Sequence, residues 1–167
     1  EQAAIADGAG GMILAWADYR SGDLDLYAQR SGADGVVLWG ANGRAVCTSA
    51  SSQTGPELVS DGSLGAILVW YDFRNGNTDL YTQRVNSAGT ALWSTNGVAV
   101  VATSGTQAYL AIATDGAGGA IVAWEDQRAL AEPDVYAQRV GSNGVAQWTA
   151  NGIAVSIHTY GRDITSC

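Results

Sequence analysis

The chain has 167 residues, 47% of them hydrophobic, with a formal charge of −8 and no lysine. That length and apolar content predict one folded domain with its own core and exclude a disordered chain. The acidic balance is the opposite of the footprint that nucleic acids and anionic membrane surfaces require, and no apolar run approaches the roughly 20 residues of a membrane-spanning helix. Neither a nucleic-acid partner nor membrane insertion is expected.

Taken in order, the chain opens with a short apolar segment, Ala3-Ala4-Ile5-Ala6, ended by Asp7-Gly8. Such a pair turns the chain tightly, because glycine takes positive φ cheaply and aspartate tolerates it. MILAWADYR at 12–20 follows, rich in aliphatic and aromatic residues and free of proline. It reads as an inner strand, apolar on both faces in its first half. A polar loop leads to DLYAQRS at 25–31, a third strand. Period-two alternation puts Asp25, Tyr27 and Gln29 on one face and Leu26, Ala28 and Arg30 on the other. The turn GADG precedes a fourth segment carrying Leu38-Trp39, and an Asn-Gly turn with a last short apolar run leads out.

The same unit then recurs twice. Trp16, Trp70 and Trp124 stand 54 residues apart. Tyr27, Tyr81 and Tyr136 are 54 and 55 apart, because the third copy carries one extra residue before Asp134. The Asp-Gly pairs recur at 61 and 115, the second tryptophans at Trp93 and Trp148, and the Asn-Gly pairs at 96 and 151. Four strands in each of three such units predict an all-β fold, a β-propeller with three four-stranded blades per chain. The blades span about 1–54, 55–108 and 109–161, with a surplus strand at 162–167. A parallel β-helix is the runner-up, although its coils are usually shorter than this period. Known propellers close with about 4–8 blades, so three form a half-propeller. Self-association into a six-bladed homodimer is expected, the alternative being a fragment of a longer propeller.

Along its whole length the chain resembles bacterial secreted β-propeller-like repeats carrying W-x-D-x-R…D-x-Y-x-Q-R…G…W-x-x-N-G. That resemblance implies fold and export, hence a secreted or cell-surface protein, more than an activity. The chain begins in mid-repeat without a methionine, as a mature or excised piece would. The turn GADGVVLW is also loosely similar to the Asp-box turn of sialidase blades. It departs from that turn in spacing, and Ala88 and Asn143 replace Asp34 in the other copies.

Residues present in every copy are expected to be scaffold. They are Trp16, Asp18, Arg20 and Asp25; Trp70, Asp72, Arg74 and Asp79; and Trp124, Asp126, Arg128 and Asp134. Arg30 and its counterparts join them in an expected Asp–Arg network that locks each blade. The functional alternative is a sugar site in each groove between blades, similar to propeller lectins in its arginine and tryptophan content. It departs from them in lacking a repeated glutamate, since Glu125 faces Ala17 and Tyr71 in the other copies.

Residues that break the repeat are the better ligand-binding candidates: Tyr19, Phe73 and Gln127 at one position, Tyr71 and Glu125 at another, and the loop 129–133. Glycoside hydrolysis needs two carboxylates about 5–10 Å apart. Glu125 and Asp126 are adjacent in a strand and point to opposite faces, while Asp23 reads as a turn former. The lone His158 reads as a solvated residue of the C-terminal tail. No catalytic triad, phosphate loop or metal cluster appears, so neither cofactor nor metal is expected. Cys47 and Cys167 lie outside the repeat and read as free thiols. The expected function is a non-enzymatic extracytoplasmic binding or interaction scaffold, taking a glycan or another protein. Its alternative is a piece of a propeller hydrolase such as a glycosidase.

Overall fold

The computed structural model describes residues 1–128 and 133–156. These form twelve strands in three four-stranded antiparallel sheets. The first sheet is β1 (Gln2–Ala6), β2 (Met12–Asp18), β3 (Asp25–Ser31) and β4 (Arg44–Cys47). The second is β5 (Gln53–Ser60), β6 (Ala66–Asp72), β7 (Asp79–Val85) and β8 (Val98–Val101). The third is β9 (Gln107–Thr114), β10 (Ala120–Asp126), β11 (Asp134–Val140) and β12 (Ile153–Ser156). Each sheet is a meander in chain order. Antiparallel pairing throughout overturns the β-helix alternative, whose strands run parallel. No helix occurs among the described residues. The expected surplus strand at 162–167, His158, Cys167 and residues 129–132 lie outside the described residues.

The fourth strand differs from the expectation. It is the short run after the Asn-Gly turn, whereas the Leu38-Trp39 segment leaves the ladder after a single bridge, Ser31 to Val37. The reason is a side chain. Gln29 accepts the Trp39 backbone N–H through Oε1 at 2.9 Å and donates to the Gly40 carbonyl at 2.5 Å. The amide thus takes the place of a neighbouring strand. Gln83 and Gln138 hold Trp93 and Trp148 in the same way.

The Asp-Gly turn also has more in it than a two-residue hairpin. The Asp7 N–H donates to the Gly11 carbonyl at 3.0 Å, closing a five-residue loop. Inside it the Asp7 carboxylate accepts the N–H groups of Ala9 and Gly11, both at 2.8 Å. Asp61 and Asp115 repeat the arrangement.

The sheets pack face to face. Ile13, Ala15, Leu26, Ala28, Trp39 and Val46 of the first meet Leu58, Ala66, Leu68 and Trp70 of the second. Val69, Leu80, Val100 and Val101 on the other face of the second meet Val122, Trp124 and Val140 of the third. The middle sheet is therefore apolar on both faces, which is why β6 reads as a continuous hydrophobic run.

Candidate functional site

The repeated residues assemble into one lock per sheet. The indole Nε1 of Trp16, Trp70 and Trp124 donates to Asp18, Asp72 and Asp126 at 3.2, 2.9 and 2.7 Å. Arg20, Arg74 and Arg128 close ion pairs on the same carboxylates. Each guanidinium also lies over the ring of Tyr27, Tyr81 or Tyr136, 3.8–3.9 Å from its centre. Each finally donates to the backbone carbonyl of Asn42, Asn96 or Asn151, at 3.0, 2.9 and 2.8 Å. The Asn-Gly turn is thereby tied to the far end of β2, β6 or β10. Its glycine has no substitute: a Cβ on Gly97 would lie 2.5 Å from the Trp70 ring.

The remaining aspartates follow the blade loop. Asp79 accepts the side-chain amides of Asn75 at 2.7 Å and Asn77 at 2.9 Å. Asp25 is buried and Asp134 half-buried at the matching positions.

Arg30 does not belong to this lock. It pairs with Asp7 at 2.8 Å, as Arg84 does with Asp61 and Arg139 with Asp115. The single expected Asp–Arg network is therefore two, on opposite faces of each sheet. Strand alternation separates Arg30 from Tyr27 and the lock. Strand periodicity does not mark Asp7, Gln29, Asn42 and their counterparts as network residues; their fixed offsets in every copy are the available signal.

The environment holds these carboxylates charged. Asp18 lies far below the usual carboxylate range because Arg20, Trp16 and the Arg20 amide all donate to it. Asp7 is lowered by the Ala9 amide and by Arg30. Burial works against Asp115 and Asp126, but the donors around each outweigh it and lower both. Cys47 is a buried free thiol, pushed up to about 11 by burial. These carboxylates serve as acceptors for the scaffold's own donors.

The residues that vary between copies stand elsewhere. Tyr19, Phe73 and Gln127 directly follow β2, β6 and β10, and all three are exposed on one rim. Between the first two sheets this rim holds an open groove of about 500 Å³, lined by Asp23, Leu24, Ser51, Ser52, Thr54 and Phe73. A second hollow of about 420 Å³ adjoins it through Leu24 and Thr54 and is bounded by Tyr19, Ala17 and Glu1. Tyr19 and Phe73 therefore flank one continuous depression. Gln53 anchors its floor, donating its backbone N–H to the Leu24 carbonyl at 2.7 Å. Ser51 lines it with φ of 67°, a strained conformation for a non-glycine residue.

The other candidates separate from this groove. The hydroxyl of Tyr71 accepts the N–H of Leu110 at 3.1 Å, so this ring braces the second sheet against the third. Glu125 is half-buried in β10, and its neighbour Asp126 is fully engaged by Trp124 and Arg128. No carboxylate pair forms there. Compared with protein-family models and with curated proteins, the chain matches none.

Proposed function

We propose that the three sheets are propeller blades and that the chain is a non-enzymatic binding scaffold, exported from the cytoplasm, whose rim groove takes carbohydrate. The observation that carries this reading is the pairing of Tyr19 and Phe73, 69% and 38% exposed, across a groove bearing Asp23, Ser51, Ser52 and Thr54. An aromatic face covers the apolar C–H face of a sugar ring. Hydroxyls and a carboxylate offer the donors and acceptors that sugar hydroxyls need. The charge of −8 favours neutral over anionic glycans.

Asp23 lines the larger groove and Glu1 only the adjoining hollow, so neither cavity by itself carries the two carboxylates that glycoside hydrolysis uses. Binding without turnover is therefore the expected behaviour. A broad glycan array tests it: neutral glycans should give signal, and a blank array sinks the carbohydrate reading. Release of reducing sugar from a bound glycan would establish the hydrolase instead. Phe73→Ala should weaken binding about tenfold, the equivalent of one lost aromatic contact of roughly 1.4 kcal/mol.

A further inference from the structure

The two internal junctions show what a blade face needs. At each one, the second tryptophan of a blade reaches the turn of the next. Trp39 Nε1 donates to the Ser87 carbonyl at 2.9 Å, and Trp93 Nε1 to the Ser142 carbonyl at 3.0 Å. The rings lie against Gly89 and Gly144, where an added Cβ would come within 2.8 and 2.6 Å of them. The counterparts at the two ends of the stack are Trp148 of the third blade and Gly35 of the first blade, where an added Cβ would meet nothing within 4 Å among the described residues. One end carries the knob and the other the empty socket.

Neighbouring residues show the same gradient. Val46 and Val100 are 4% and 2% exposed at the junctions, while their counterpart Val155 is 62% exposed. On the opposite face Ala66 and Ala120 are fully buried, while Met12 is 45% exposed. Beside Met12 lies an open hollow of about 300 Å³ walled by Leu14, Trp16 and Gly43. At the first internal junction Val46–Thr48 lie across the equivalent surface formed by Ala91, Thr95 and Asn96. The Asn96 side chain there accepts the Thr48 N–H at 3.1 Å.

We propose that a second copy of this chain fills both ends. The Trp148 face of each copy docks on the Gly35 face of the other, with Trp148 Nε1 donating to the Ala33 carbonyl, the counterpart of Ser87. Two copies supply six blades, within the range of about 4–8 that closes a ring, whereas one copy supplies three and three copies nine. The occupant is thus a dimer with two identical junctions, each a repeat of the two inside the chain. The inference rests on reading the sheets as blades and is independent of the sugar groove.

The test is absolute mass by light scattering on a sizing column, over a hundredfold range of loading. The expected mass is twice the 17.2 kDa chain. Met12→Arg and Val155→Asp alter residues already exposed, so each should give the single-chain mass with an unchanged circular dichroism spectrum; Trp148→Ala should do the same. A single-chain mass for the unaltered protein overturns the proposal, as would happen if further blades of a longer polypeptide cover these faces. A mass of three or more chains overturns it too. So does a two-chain mass that survives both Met12→Arg and Val155→Asp, since another face then holds the copies together. Retention of the sheet spectrum in a single-chain species separates failure of the dimer from failure of the blade reading.

Discussion

At the scale of single residues, the same side-chain types serve two unlike ends. Asp18 and Asp126 are structural because every oxygen faces a donor, while Asp23 lines open space. Acid should reveal the difference. Asp7, Asp18, Asp115 and Asp126 all have lowered pKa values in the folded chain. Groups lowered on folding stabilise fully above their unfolded value, near 3.8, and lose that contribution as pH falls through the folded values. Melting temperature should therefore be flat from about pH 5 to 7 and fall progressively below pH 4. A plateau extending below pH 3 would show that these pairs add nothing to stability. Cys47 makes a second case. The reactive form of a cysteine is the thiolate, and burial keeps this one protonated. At pH 8 an alkylating reagent should leave Cys47 unmodified in the native chain and modify it in denaturant, as read by peptide mapping. Rapid native labelling would mean that the first two sheets open readily.

At the scale of elements, the turns carry more specification than the strands. Gly62 and Gly97 both have positive φ, 77° and 84°, so alanine is strained at either. The surroundings differ. A Cβ on Gly62 meets nothing within 4 Å among the described residues, whereas a Cβ on Gly97 meets the Trp70 ring at 2.5 Å and the Thr82 carbonyl at 2.8 Å. Gly62→Ala should cost about 1 kcal/mol for backbone conformation alone. Gly97→Ala should add overpacking and reach about 3 kcal/mol. Urea denaturation of the two variants measures the gap, and equal costs would contradict the lock geometry.

This is also where the sequence was least legible. Strands β1 to β3 were readable because their patterns come from burial on one or both faces. The sequence pattern puts the fourth strand at Leu38-Trp39 because that segment looks as apolar as a strand. What removes it from the ladder is a side-chain amide, Gln29, and strand periodicity carries no sign of that. Repetition alone groups Arg30 with Asp18. Its true partner, Asp7, sits 23 residues earlier on the other face of the sheet. The rim groove was legible only as a list of varying positions, since its walls come from two different repeats.

At the scale of the whole molecule, repetition set the architecture: three copies at one period fold as three sheets of one topology. If the proposed dimer closes through apolar faces, salt strengthens it. Each copy carries −8, so two copies repel, and screening over about 10 Å at 0.1 M salt relieves that repulsion. Raising salt from 0.05 to 0.5 M should lower the dimer dissociation constant. A dimer that weakens with salt would be held by ion pairs instead.

The central claim is that repeated residues build the scaffold and that the varying rim residues Tyr19 and Phe73 meet the ligand. Asp72 and Phe73 are adjacent, and the claim assigns them opposite roles. Calorimetric melting of Asp72→Asn and Phe73→Ala tests it directly. Asp72 is fully buried and holds both Trp70 and Arg74. Its neutralisation should cost about 3 kcal/mol and lower the midpoint by about 10 °C in a chain of this size. Phe73→Ala should leave the midpoint within about 2 °C, as surface changes of up to about 0.5 kcal/mol do. A Phe73→Ala midpoint that falls as far as that of Asp72→Asn, or an Asp72→Asn midpoint that does not move, would contradict the account.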